Sequence, residues 1–124
     1  MATFQEHKNE CGLICMSILG LAYNVNIDIF MLRKKYRKSE YLTMASMISE
    51  LESHHVLVNG YFSDEIDKIN EKVPLIAHYK RGHFVVVLKI DEDFCHIIDP
   101  EFGVIENMAT KDFLEEFSGY LIAE

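Results

Sequence analysis

The chain is sparing in several features that would place it in a class at once. Lysine and arginine are the minority charge, 12 against 20 aspartates and glutamates, which leaves a net charge of −8. A protein that grips phosphate backbones needs a positive face, so nucleic acid is excluded as a partner. Cysteine is scarce. Cys11, Cys15 and Cys95 form no even disulfide framework and lack the paired spacing of a zinc site. That usage points to a reducing, cytoplasmic setting. No apolar run reaches the roughly 20 residues that cross a bilayer. The best candidate, residues 13–23, is preceded by Glu6 and Glu10 against Lys8 alone, whereas an export signal carries a positive flank. No repeat, low-complexity tract or Pro/Gly/Ser-rich linker divides the chain. Its 124 residues suit a single domain, 1–124, with a core of its own.

What is present changes character half-way along. Residues 11–22 read as a nearly all-round apolar helix, and therefore a buried one. Residues 27–37 give a second helix with Ile27, Phe30, Met31 and Lys34 at helical spacing. Thr43 reads as the N-cap of a third, whose stripe is Met44, Met47, Ile48 and Leu51. From there the period shortens. Strands are expected at 56–62, 75–79, 83–90, 94–99, 104–106 and 120–122, with a short helix or turn at 64–70 and a helix at 111–117. The pattern is α+β, with an N-terminal helical half packed on a C-terminal antiparallel sheet.

Gln5, five residues, then Cys11-Gly12 opening the apolar helix is the pattern that bears most on chemistry. Unsatisfied N–H groups and partial positive charge at a helix start favour a thiolate. An upstream glutamine amide is a donor suited to a developing oxyanion. A base is found by strand parity. If 83–90 and 94–99 pair around a three-residue loop, Asp91-Glu92-Asp93, Ile90 faces Phe94, Val85 faces Asp99 and His83 faces Glu101. His83 and Asp99 then project from one side as diagonal neighbours. A one-residue slip would separate them, but it would also turn Phe84, Val86, Leu88 and Ile90 away from their partners. A carboxylate fixes an imidazole's tautomer and stabilises its charged form. Cys11 as nucleophile, His83 as base and acid, Asp99 as orienter and Gln5 with the Cys11 N–H as oxyanion donors fill every role of a thiol mechanism. On spacing alone the plainer reading stays open, with Cys11 a small core residue and His83 a satisfied strand-end group.

The same residues are similar to a known family, the cysteine peptidase domains at the N-termini of bacteriocin-exporting ABC transporters. The likeness rests on Gln5-x5-Cys11-Gly12 with Cys15, on Pro74-Leu75-Ile76-Ala77-His78, and on His83-Phe84-Val85-Val86-Val87. It extends to Asp99-Pro100 with Gly103, to Lys111-Asp112-Phe113 and to Ser118-Gly119-Tyr120-Leu121, so it covers essentially the whole chain. The resemblance implies a papain-like fold and cleavage after a Gly-Gly motif in a ribosomally made precursor peptide. It implies the roles above for Cys11, His83, Asp99 and Gln5, and no cofactor. Its implied partners are an amphipathic helical leader and the transmembrane and ATP-binding domains of an exporter. The chain would then be the N-terminal domain of a longer protein on the cytoplasmic side of the membrane, monomeric when excised. Glu10 stands where the family more often has aspartate. The 41–43 segment lacks a glycine that members often carry, which bears on leader specificity. Two rivals remain: a domain that holds leaders without cutting them, and a Cys-His-Asp acyltransferase.

The other candidates take bland readings. The basic run Arg33-Lys34-Lys35 with Arg37-Lys38 reads as a solvated helix end. His54-His55, with no carboxylate seen at ligand spacing beside them, give no metal site, nor do His78 and His96. Cys15 shares the helix face of Cys11 and reads as core. Met31, Met44 and Met47 read as core rather than an adaptable groove, and substrate-contact residues are not assigned.

Overall fold

Among the described residues the helix takes in Glu10, one residue ahead of the expected apolar run. The computed structural model describes residues 10–36 and 42–124, and its first element is α1, Glu10–Ala22, with acidic Glu10 in the first turn. Gly12, Leu13, Cys15, Met16, Leu19 and Gly20 are buried, whereas Leu21 faces solvent, so the helix is not covered all round. α2, Ile29–Lys35, is shorter than expected because the Asp28 side chain caps it, accepting the Phe30 N–H at 2.9 Å. The cap sets the phase of the helix. Leu32 turns inward, while of the expected stripe Ile27, just before the helix, is buried and Phe30 (67% exposed) and Met31 (51%) turn out. α3, Met44–Ser53, starts where Thr43 predicts, with its hydroxyl accepting the Ser46 N–H at 3.1 Å. Met47 and Leu51 are fully buried, and Met44 packs on the same core.

The remaining elements are β1 (Asn59–Phe62), α4 (Ile66–Asn70), β2 (Leu75–Tyr79), β3 (Phe84–Ile90), β4 (Phe94–Asp99), β5 (Val104–Ala109), α5 (Thr110–Glu116) and β6 (Phe117–Ala123). The strands form one antiparallel sheet in the order β1-β6-β2-β3-β4-β5. β5 runs three residues past its expected end. Pairing with β4 through Ala109 carries Glu106 and Asn107 into strand despite their weak propensity. Ile76, Phe84, Val86 and Ile122 pack with Leu13, Met16, Leu19, Leu32, Met47 and Leu51 on one face. Leu75, Ala77, Val85, Val87, Ile97 and Leu121 pack with Ile69 of α4 and Phe113 of α5 on the other. β2 and β3 are covered on both faces, which is why they read as unbroken apolar runs.

The β3–β4 hairpin departs from the expected register at its tip. Asp91 N–H donates to the Phe94 carbonyl at 2.9 Å, so the loop is Glu92-Asp93, two residues rather than three. The Asp91 side chain enforces this by accepting the N–H groups of Asp93 and Phe94 at 2.8 and 2.7 Å. Ile90 therefore faces Cys95. A bulge between Val87 and Lys89 absorbs the offset and returns Val86 to Ile98, the alignment expected there.

α2 and α3 are joined through a buried carboxylate that sequence reading passed over. Glu50 is 4% exposed and accepts the Tyr36 hydroxyl at 2.7 Å. It also pairs with Lys35 at 2.8 Å and with His54 one turn on at 2.9 Å. His54 thus has a carboxylate at helical spacing, contrary to expectation, and part of the basic run is a tie between helices. Burial alone would raise the Glu50 carboxyl, but the hydrogen bonds from Lys35, Tyr36 and His54 hold it below its ordinary value. A depressed folded value means the stabilisation is complete above the unfolded carboxyl range and is lost as pH falls through the folded value. Glu50→Gln is expected to lower stability at neutral pH by about 1–3 kcal/mol and to flatten its decline on acidification. Urea unfolding from pH 7 to pH 3 checks both.

Candidate active site

Three short stretches converge at one end of the sheet. The first turn of α1 supplies Cys11, the turn entering β3 supplies His83, and the end of β4 supplies Asp99. β3 and β4 are antiparallel neighbours, so the start of one and the end of the other lie side by side. Before His83 the chain turns tightly. Gly82 N–H donates to the Tyr79 carbonyl at 2.9 Å, Tyr79 N–H donates to the His83 carbonyl at 2.7 Å, and Gly82 sits at φ +84°. That left-handed conformation costs any other residue about 1–2 kcal/mol, so glycine here aims the histidine. Gly12 serves closeness instead. A Cβ there would stand 2.6 Å from a Leu42 methyl, so the turn carrying Cys11 lies directly against Leu42 and Met47.

His83 Nε2 lies 2.6 Å from Asp99 Oδ1, and the same oxygen accepts the Glu101 N–H at 3.0 Å. The Asp99 carbonyl accepts the N–H groups of Phe102 and Gly103, which fixes the strand end. With Nε2 engaged, Nδ1 is the nitrogen left to face Cys11, whose sulfur is near enough to help hold a proton on the His83 ring. Burial opposes charge on this imidazole. The hydrogen bonds to Asp99 and Cys11, with their negative charges, outweigh it and raise His83 to about 9. Burial likewise acts to raise Asp99, but the His83 and Glu101 hydrogen bonds hold it below the ordinary carboxylate range. Asp99 is 4% exposed, so this attraction is little screened. The expected convergence of His83 with Asp99 is therefore present. The cross-strand neighbour anticipated for His83, Glu101, is also near. One donor atom each of His83, Asp99 and Glu101 lies within 4.8 Å of the others. These are metal-ligand types, but 2.6 Å between His83 and Asp99 is a hydrogen-bond separation, too short for both to ligate one ion.

The other candidates fall elsewhere. Gln5 lies outside the described residues. Cys15 is fully buried, and burial first, then the charges of Cys11 and Asp99, push its thiol well up, as befits an inert core residue. His96 is exposed, on the opposite strand parity from Asp99. His78 Nδ1 lies 2.8 Å from the Ser118 hydroxyl, and burial lowers its pKa. Arg81, which sequence reading did not single out, lies 3.9 Å from both Glu101 and Glu116 and brackets the two turns of the site.

Comparison with known proteins gives this geometry a family. The peptidase C39 family model matches residues 1–123. The chain belongs to the peptidase C39 family. It is similar to the probable microcin-H47 secretion/processing ATP-binding protein MchF of Escherichia coli, 29% identical over 100 residues, which cover 80% of this chain and 14% of that protein. It is also similar to the colicin V secretion/processing ATP-binding protein CvaB of Escherichia coli, 28% identical over 116 residues, 93% of this chain and 16% of that one. The chain thus spans less than a fifth of the length of these relatives. Among solved structures it resembles a double glycine motif protease from an AMS/PCAT transporter in complex with the leader peptide, with TM-score 0.81, 18% identity, and coverage of 91% of this chain and 81% of that one. It also resembles the peptidase C39 like domain of a toxin secretion ATP-binding protein from Vibrio parahaemolyticus, with TM-score 0.78, 18% identity, and coverage of 91% and 94%. As a C39 peptidase domain it has the expected α+β architecture, helices followed by a six-stranded antiparallel sheet.

Asp99→Asn tests the electrostatic account of this site. Followed by the His83 ring proton resonance, the imidazole of the wild-type protein is expected to titrate near 9. In the variant it is expected to move at least about one unit toward the ordinary value near 6.5, because the paired anion is gone. An unchanged midpoint would mean Asp99 does not hold the proton on the ring.

Proposed function

We propose that this chain is a thiol endopeptidase that removes the leader of a ribosomally made peptide after Gly-Gly, in concert with export. The observation that carries the reading is one imidazole held by a buried carboxylate at 2.6 Å, with a helix-start cysteine near enough to help keep its proton. In this reading the Cys11 thiolate attacks the carbonyl carbon of the second glycine, and the carbonyl electron pair moves to oxygen. The Cys11 N–H and the Gln5 amide stabilise that oxyanion. Imidazolium His83 gives its proton to the departing amine as the C–N bond breaks, leaving a thioester on Cys11. Water, deprotonated by His83, then hydrolyses the thioester and restores the pair. Asp99 keeps the ring oriented and its charge compensated throughout.

The setting is part of the same proposal. Relatives named for secretion and processing, of which the chain matches only a small fraction, support a peptidase domain working beside transmembrane and ATP-binding domains of an exporter. A related fold captured with a leader peptide supports a leader as the docking element. Free thiols at Cys11, Cys15 and Cys95 suit the cytoplasmic side of the membrane. Among the described residues no helix is long and apolar enough to cross a bilayer. The intact Cys11, His83 and Asp99 set favours cutting over mere holding of the leader.

Incubation with a precursor bearing a Gly-Gly leader, with products mapped by mass spectrometry, is expected to give one cut after the second glycine. Cys11→Ala is expected to lose at least about a thousandfold in kcat/KM. Undiminished cleavage by that variant would refute the assignment. The pH profile carries a separate sign. His83 is raised, so its imidazolium persists below about 9 and is lost above it. Accordingly kcat/KM should decline about tenfold per pH unit beyond that point.

A further inference from the structure

Glu10 opens α1 and directly precedes Cys11. Its carboxylate is tied to another helix. Arg33 of α2 donates from Nε to Glu10 Oε1 at 2.7 Å, and its Nη2 contacts the same oxygen. The Phe30 ring supports the guanidinium from below, with Cζ 5.5 Å from the ring centroid. A carboxylate in a first turn is favoured by the helix terminus, and so is a thiolate. Two anions drawing on one terminus repel each other, and the nearest fixed cation decides how strongly. Around Cys11 the sheet brings His83, Asp99 and, farther out, Glu101, and α1 itself brings Glu10 and Cys15. α2 brings Arg33, and α3 brings apolar Met47, against Gly12. Arg33 is the cation set against the carboxylate next to the thiol.

We propose that Arg33 is a positioning residue for Cys11: by pairing with Glu10 it neutralises the carboxylate beside the thiol and anchors the first turn of α1 to α2, facing the His83–Asp99 pair. This rests on Cys11 being the nucleophile. The basic run is then part of the machinery of the site and not a solvated helix end.

The test reads the thiol itself. Alkylation of Cys11 by iodoacetamide is followed against pH on the intact chain, with the modified residue located by mass spectrometry. Arg33→Gln leaves Glu10 unpaired and is expected to move the alkylation midpoint up by roughly half to one pH unit, three- to tenfold in rate on the acid limb. Glu10→Gln leaves the guanidinium unneutralised and should move it down. The double variant should return it to the wild-type position. A merely structural contact does not produce opposite signs, nor rescue by removing both partners. An unmoved midpoint in Arg33→Gln, or a shift the double variant retains, overturns the proposal. If Arg33→Gln fails to fold in urea titration, the direction of the Glu10→Gln shift decides, with an unmoved or raised midpoint overturning it. Alkylation needs no peptide substrate. A domain that shows this pattern yet leaves Gly-Gly precursors uncut would sink the peptidase reading and not this one.

Discussion

A half-buried imidazole keeps a proton only if something offsets the loss of water around its charge. Here that offset is the 2.6 Å contact between His83 and Asp99, and the fold is arranged so that it forms. Asp99 is nearly sealed from solvent, its oxygen takes a second hydrogen bond from the Glu101 backbone, and its carbonyl is pinned by the turn beyond. The glycine turn before His83 aims the ring. The carboxylate is then little open to competing water, and the ring has one nitrogen committed and one available. Everything the site can do with a thiol follows from that asymmetry.

Much of this was legible in the sequence because it follows from parity. His83 and Asp99 meet because side chains alternate along strands and an apolar alignment forbids a one-residue slip. The prediction survived an error in the loop. A two-residue turn closed by Asp91 displaced the tip of the hairpin, and a bulge restored the alignment before the residues that matter. The helices were legible wherever caps were. Thr43 placed α3 correctly, whereas the unrecognised cap at Asp28 rotated the expected face of α2 and moved Phe30 and Met31 to solvent.

What could not be read were contacts between charged residues far apart in the chain. Glu50 is buried on α3, and only its partners Lys35, Tyr36 and His54 explain a buried carboxylate there. The Glu10–Arg33 pair likewise joins two helices whose packing no periodicity specifies. A single sequence shows charges as a pattern along the chain, and pairing across helices depends on crossing geometry that the pattern does not contain. The extension of β5 is the same lesson in backbone form, since neighbours and not propensity decided its length.

The site is also divided in time. Cys11 belongs to a helix that precedes the sheet in the chain, whereas His83 and Asp99 arrive only with β3 and β4, well past the middle of these 124 residues. A nascent chain therefore carries its thiol unarmed until the hairpin pairs and the helix docks on it. The meeting of thiol, ring and carboxylate is thus a property of the completed fold and of no part of it made earlier.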